Sequence, residues 1–199
     1  LRDDVSALSE GIRYTLAAAE ELGLIENREG KYHFVAEDQA VASPSGFRRY
    51  VSPRVLSKGD TTFFKTTEWF VSSNKAVLPL NTFATVAAEI VKSGLSHVDE
   101  NDVLGWRFWI RFLGLGYQYE KTLIPNLCIR LQDAMHNIPV GTEMSGTEFL
   151  TWLKTNVPEA ASSCTQAGLC LAVSNGLRTL HDLGKIQIAS ANDAEKVYL

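Results

Sequence analysis

One pattern occurs three times in this chain and limits its fold more than any other feature: a helical segment, a glycine that ends it, and two short segments of alternating polarity. The three copies, each with its glycine, are residues 9–35 with Gly23, residues 103–124 with Gly114 and residues 174–199 with Gly184. A glycine directly after a helix adopts the left-handed conformation that ends many helices. Alternating segments around a polar turn are typical of a β-hairpin. The sequence therefore predicts a mainly α-helical chain with small β-hairpins, in the α+β class.

The first and last copies also suggest a turn before their helices, because residues 9–13 and 174–178 share the pattern Ser-x-Gly-(Ile/Leu)-Arg. Ser9 suits an N-cap, since its hydroxyl can accept a hydrogen bond from an amide of the first helical turn. A separate short helix would then precede Ser9. The apolar spacing from residue 5 to residue 16 also fits one unbroken helix in which Gly11 costs about 1 kcal/mol. Both arrangements stay open at this point.

The segment between the first and middle copies has the composition of a linker. Prolines, glycines and serines interrupt residues 36–60, where no helical or strand period is sustained. Arg48 and Arg49 lie there between two aromatic residues, which makes them candidates for phosphate contacts. The predicted organisation is a truncated first module, a basic linker or arm, a middle helical module and a C-terminal module, at residues 1–40, 41–75, 76–130 and 131–199.

The helix of the middle copy, over residues 103–113, is apolar almost all round. A helix of this kind is predicted to be buried. Its exceptions are Arg107 and Arg111, which are four residues apart and therefore lie on one face. We expect that face to be the one stripe of the helix that is left in contact with water or with a ligand.

The composition is that of an ordinary globular protein, but the net charge is negative, which is unusual for a nucleic-acid-binding protein. Of the 199 residues, 45% are hydrophobic and 21% charged, and the net charge is −4. Residues 1–40 hold 4 basic and 9 acidic side chains, residues 41–92 hold 7 and 3, and residues 93–199 hold 8 and 11. Because nucleic-acid-binding domains are usually basic, the segment between the first two modules is the best candidate for a DNA contact by charge alone.

Several classes of function find no support in the sequence. No run approaches the ~18 apolar residues of a membrane span, and no leader resembles a signal peptide, so no membrane partner is expected. The three cysteines have no CxxC spacing and lie among apolar neighbours, which is typical of reduced thiols in a cytoplasmic protein. The chain opens on a leucine inside a helical pattern, so we expect a fragment of a longer polypeptide.

No catalytic or metal-binding motif is found either. The sequence contains no glycine-rich phosphate loop, nucleophile elbow or HExxH motif. The four histidines lie apart, without ligand spacing: His33, His97, His136 and His181. We therefore expect no enzyme, no metal and no cofactor.

A helix, a serine-containing turn, a helix ending in Leu-Gly and a hairpin together resemble the winged-helix form of helix-turn-helix proteins. The stretch Ala19–Ile25 is similar to the end of the recognition helix and the entry into the wing in many bacterial transcription regulators. The resemblance implies tandem winged helices, with a recognition helix in the major groove and the wing on the DNA backbone or minor groove. The residues that it places at the DNA are Arg13, Tyr14, Arg28 and Lys31 in the first copy, Arg107, Arg111 and Lys121 in the middle copy, and Arg178 and Lys196 in the last.

Two hypotheses of function follow, and a third is weaker. The first is a double-stranded DNA-binding protein, either a regulator or the DNA-reading part of a larger complex. The second is a winged-helix subunit that contacts proteins or a second copy of itself, because the acidic first module would repel phosphate. The third is a helical enzyme fragment whose catalytic residues lie elsewhere.

Overall fold

The computed structural model describes residues 2–189, with side chains from Ser9 onward. The chain forms two compact units, Leu1–Val55 and Leu56–Leu199. Within the described range it is mainly helical and has two antiparallel hairpins, as predicted for the α+β class. None of the helices in that range has both the length and the apolar composition that crossing a bilayer requires.

The first unit consists of a long helix, a hairpin and two further helices. Its elements are α1 (Arg2–Glu21), β1 (Ile25–Arg28), β2 (Lys31–Phe34), α2 (Asp38–Val41) and α3 (Pro44–Leu56), the last residue of which belongs to the second unit. Ile25 faces Phe34 and Arg28 faces Lys31 in the hairpin register. The first predicted hairpin is therefore confirmed.

The second unit contains the remaining elements. They are α4 (Thr62–Ser72), a 3-10 turn (Asn74–Val77), α5 (Phe83–Lys92), α6 (Glu100–Phe112), β3 (Gly116–Tyr119), β4 (Thr122–Pro125), α7 (Cys128–Ala134), α8 (Gly146–Asn156), a second 3-10 turn (Pro158–Ser163) and α9 (Leu171–Asp182). Its core lies between α4, α6, α7 and α9, where Phe70 meets the Trp106 ring edge-on at 5.4 Å. The indole of Trp106 donates to the hydroxyl of Thr67, so its one polar group is satisfied inside this core.

The predicted glycine stops are confirmed in all three copies. Gly23, Gly114 and Gly184 have φ values of 70°, 72° and 66°. At each of them the glycine amide donates to the carbonyl three residues back, and the next amide donates to the carbonyl five residues back. This pair of hydrogen bonds is the Schellman motif, which satisfies carbonyls at the end of a helix. The chain thus uses one stop signal after α1, α6 and α9.

Of the two arrangements open for the start of the first copy, the structure has the unbroken helix, and the turn predicted at the start of the last copy is wrong. α1 runs unbroken through Ser9 and Gly11, and α9 runs unbroken through Ser174 and Gly176. On α1 the hydroxyl of Thr15 donates to the carbonyl of Gly11, which stays helical. The alanine-rich stretch after it has high helix propensity and offsets the cost of one glycine.

The predicted linker is wrong as well, since α2 and α3 occupy most of residues 36–60. Pro44 is the first residue of α3, where its missing amide hydrogen is not needed. A Cβ on Gly46 would lie 2.3 Å from the carbonyl oxygen of Gln39, so only glycine fits this approach of α3 to α2. The hydroxyl of Tyr50 donates to the carbonyl of Gly23, which joins α3 to the stop of α1.

The predicted orientation of α6 is also wrong. Val103, Trp106, Arg107 and Ile110 are buried, whereas Leu104 and Phe108 are exposed. The helix therefore turns one of its two arginines into the protein and two large apolar side chains toward water.

The last predicted hairpin cannot be followed to its end. Residues 186–189 after the Gly184 stop are not part of a strand. The remainder of that hairpin, with Lys196, lies outside the described residues.

Candidate interaction surfaces

The residues expected at DNA in the first unit lie on separate elements. Arg13 and Tyr14 are exposed on α1, with the guanidinium 5.1 Å from the ring centre of its neighbour. Arg28 pairs with Glu26 at 2.7 Å on the hairpin surface, and this hydrogen bond raises the pKa of the arginine. Lys31 is exposed at the start of β2, directly after the hairpin turn. The exposed ion pair between Arg28 and Glu26 contributes little to stability.

Arg48 and Arg49 lie on helix α3, each about half-buried, and not on an irregular arm. The ring of Tyr50, which follows them on α3, makes a cation–π contact: the guanidinium of Arg54 lies 3.5 Å from the centre of this ring. Arg54 also donates to the carbonyl of Tyr50. Tyr50 and Arg54 thus contribute to packing within the first unit.

Arg107 is the expected DNA contact that the structure removes from the surface. Its side chain is 8% exposed, and its Nη2 donates to the backbone carbonyl of Lys121 at 2.9 Å. The guanidinium lies 5.0 Å from the ring centre of Phe83. Burial, together with the nearby charge of Arg111, lowers the pKa of Arg107. Arg107 therefore connects α6 and α5 to the turn of the second hairpin, and it does not face solvent.

The other expected contacts of the second unit are exposed. Arg111 lies at the end of α6, with its Nη1 3.3 Å from the amide oxygen of Gln118 on β3. Lys121 lies at the turn of the second hairpin, and Arg178 lies on α9. These three cations do not share one element.

The feature that sequence reasoning missed is the exposed side of α6. Leu104 is 55% exposed and Phe108 is 63% exposed, and Arg111 continues the same side one turn further on. We call these three residues the α6 outer face. The ring of Trp109 lies edge-on to those of Phe108 and Phe112, at 5.9 and 5.8 Å. Phe108 of this face is therefore in contact with a second aromatic ring of α6, which in turn contacts a third.

The start of α6 is acidic. The carboxylate of Asp99 accepts from the amides of Asn101 and Asp102, and the carboxylate of Asp102 accepts from the amide of Asp99. Glu100 adds a third negative charge in the first turn. The helix N-terminus, which otherwise attracts anions, is thus already occupied by the protein's own carboxylates. A phosphate would be repelled there.

Two glycines on exposed helix faces have no explanation inside the protein. A Cβ on Gly105 of α6 or on Gly11 of α1 would meet no atom within 4 Å. By contrast, a Cβ on Gly176 of α9 would lie 2.8 Å from backbone atoms of Leu127 and Cys128, so close packing against α7 requires that glycine. Glycine inside a helix is destabilising relative to alanine, and it suits sites where another molecule approaches the backbone. Gly105 is exposed directly beside Leu104 of the α6 outer face.

Small-molecule sites are poorly developed in the part of the chain that the structure describes. A partly open cavity between Phe70, Trp106 and Leu123 holds about 10 Å³, which is room for about one water molecule. A groove of about 380 Å³ along α8 is lined by that helix alone. Residues 2–189 include no group of three or more histidine, cysteine or acidic side chains arranged to hold a metal ion.

Comparison with known proteins gives no match for this chain among family models, curated proteins or solved structures.

Proposed function

We propose that this chain is a winged-helix interaction subunit that binds a protein partner through the α6 outer face. The order of elements supports a winged helix in the second unit: α4, α5 and α6 are followed directly by the β3–β4 hairpin. In such a module α6 takes the place of the recognition helix. The observation that carries the proposal is that this helix presents Leu104 and Phe108 to solvent, where a DNA-reading helix presents polar and basic groups.

The energetics favour an apolar contact. Fully burying a leucine or phenylalanine side chain is worth about 1.5–3 kcal/mol relative to leaving it in water. Both residues are more than half exposed in the folded chain, so somewhat more than half of that free energy remains available to association. Gly105 between them lets a partner approach the helix backbone closely.

Charge defines the partner further. The acidic start of α6 and the exposed Arg111 at its end lie at opposite ends of the outer face. A matching surface has an apolar centre, with a cation facing the carboxylates of Asp99 and Glu100 and an anion facing Arg111. Charges placed in this way set the orientation and the association rate more than the affinity.

Photo-crosslinking tests this proposal directly. A photoreactive phenylalanine analogue is incorporated in place of Phe108, and the protein is crosslinked in the cells in which the chain naturally occurs. In a matched control the analogue replaces Thr155, which is exposed on α8. We expect a crosslinked protein species from position 108 that is absent from position 155 and is lost when Leu104→Glu is added. If position 108 gives no more product than position 155, the outer face has no protein partner. A product with the mass of two copies identifies a homodimer.

A second candidate function is double-stranded DNA binding, and one observation favours it. Both hairpins place an exposed lysine at or directly after the turn: Lys121 lies in the turn of the second hairpin, and Lys31 is the first residue of β2 after the turn of the first. Wing turns that follow a recognition helix contact the DNA backbone in the family that the chain resembles. Each phosphate that a lysine neutralises contributes about −0.9 to the slope of log affinity against log salt.

Fluorescence anisotropy on a generic duplex at low salt tests the second candidate. We expect Lys31→Gln and Lys121→Gln each to weaken binding and to reduce the salt slope by about 1. Lys92→Gln is the control, because Lys92 is exposed on α5, pairs with Glu89 and belongs to neither hairpin. Equal losses from all three substitutions, or no binding by the wild-type chain, would exclude wing contacts with DNA.

A further inference from the structure

Two cysteines of the second unit lie side by side in the fold. Cys164 follows the Pro158–Ser163 turn, and Cys170 is the N-cap residue of α9. Their Sγ atoms are 3.5 Å apart, and the amide of Cys170 donates to the sulfur of Cys164. Both side chains are buried. The sequence alone gave no reason to pair them, since five residues separate the two.

The loop between the two cysteines is what brings them together. Thr165 and Gly168 exchange two backbone hydrogen bonds, of 2.9 and 3.1 Å, and the hydroxyl of Thr165 accepts from the amide of Ala167. This closes a narrow turn whose two ends are the cysteines. Residues 165–167 are exposed. The segment that links the two cysteines therefore lies at the surface, although the cysteines themselves are buried.

The surroundings of the pair distinguish its two members. The hydrogen bond from Cys164, with help from Ser163 and the first amides of α9, lowers the pKa of Cys170 to about 6 although burial opposes this. The same sulfur contact and burial raise the pKa of Cys164. Of the two, Cys170 is thus the sulfur that loses its proton more readily, and the amides at the start of α9 stabilise its negative charge.

We propose that Cys164 and Cys170 form a redox couple that closes to an intramolecular disulfide in the presence of a low-molecular-weight disulfide such as glutathione disulfide. The thiolate of Cys170 attacks one sulfur of the oxidant, which forms a mixed disulfide and releases one glutathione thiolate. That thiolate takes the proton of Cys164. The sulfur of Cys164 then attacks the sulfur of Cys170 and releases the second glutathione. Each cysteine sulfur loses one electron, and the oxidant gains two.

The disulfide between Cys164 and Cys170 would connect two separate parts of the second unit. The Pro158–Ser163 turn packs against α4 and α8, and α9 packs against α7 and α4. A covalent link from Cys164 to Cys170 fixes the end of that turn to the start of α9. Because it restricts the unfolded chain as well, we expect the oxidised form to melt at a higher temperature than the reduced form.

Thiol counting on the intact chain tests the proposal. The folded protein is equilibrated in buffers of rising ratio of oxidised to reduced glutathione, quenched in acid, denatured and alkylated, and its mass is measured. Reduced chain takes three alkyl groups, one for each cysteine. We expect a form that takes one, on Cys128, and a peptide map that joins Cys164 to Cys170. Reduction with dithiothreitol must restore three.

Two variants separate the couple from unspecific oxidation. Cys128→Ser leaves the couple intact and must fall from two alkyl groups to none. Cys164→Ser removes the resolving thiol and must accumulate one glutathione on Cys170. The proposal is overturned if wild-type chain keeps three alkylated thiols at every ratio, or if it accumulates stable mixed disulfides. It is also overturned if the bond that forms includes Cys128.

Discussion

The clearest test of the α6 surface compares two glycine substitutions that are identical in chemistry and opposite in surroundings. Gly105 lies inside α6 with open space where a side chain would point, and its backbone is helical. Alanine is more favourable than glycine in a helix interior by about 0.8–1.0 kcal/mol. Gly105→Ala should therefore raise the free energy of unfolding by about that amount, which corresponds to a rise in melting temperature of about 2–4 °C for a chain of this size.

Gly176→Ala is the matched control. The new methyl group would lie 2.8 Å from backbone atoms at the start of α7, which cannot move aside as a flexible side chain can. Overpacking of this kind costs about 1–3 kcal/mol. Gly176→Ala should therefore lower the free energy of unfolding, although it too replaces a glycine by a better helix former.

Urea denaturation followed by tryptophan fluorescence is the suitable assay. All four tryptophans lie in the second unit: Trp69, Trp106, Trp109 and Trp152. The signal thus reports the unfolding of that unit without a contribution from the first. A loss of stability in Gly105→Ala would refute the placement of this residue on an open helix face. If the stabilised variant also crosslinks more weakly through position 108, the glycine is explained by close approach of a partner.

Three further predictions concern contacts within the second unit. Arg130→Leu should cost about 3–5 kcal/mol in urea denaturation, because it leaves the carboxylate of Glu159 buried without the guanidinium that now lies 2.7 Å from it; a double variant with both positions apolar should recover part of this loss. Arg107→Met should cost about 1–3 kcal/mol, since it leaves the hairpin-turn carbonyl without its buried donor; an unchanged midpoint would contradict this. Hydrogen bonds from Ser145 lower the pKa of Glu148 below 4.5, so the stabilisation from this α8 cap should be present above pH 4.5 and lost as the pH falls through the lowered pKa. Glu148→Gln should abolish that part of the pH dependence when melting temperature is measured against pH.

Local signals were enough to predict the ends of helices and the hairpins that follow. A Leu-Gly pair after an apolar helical stretch defines a Schellman stop without long-range information, and the stops at Gly23, Gly114 and Gly184 are all confirmed. The two complete hairpins follow from alternation around Asn27–Gly30 and around Glu120. Such features depend on neighbouring residues only, and sequence carries them well.

The predictions from sequence were wrong where contacts with other elements determine the local structure. Ser-x-Gly suggests a turn by propensity, yet Gly176 is helical because α9 packs closely on α7. Pro44 and Gly46 suggest a linker, yet one starts helix α3 and the other allows its close approach to α2. The partner atoms in both cases come from other elements. Likewise the pairing of Arg130 with Glu159 joins residues 29 positions apart, and no spacing rule predicts it.

The candidate site was missed for a related reason. When a helix is apolar almost all round, hydrophobicity alone does not determine which side faces the core. The sequence assigned the water-facing side of α6 to its two arginines, but Arg107 finds a carbonyl acceptor at Lys121 and an aromatic ring at Phe83, which make its burial tolerable. That inward turn carries Leu104 and Phe108 outward. A buried arginine and an exposed apolar face are thus two results of one rotation. The rotation leaves α6 with a surface that fits an apolar partner better than a phosphate backbone.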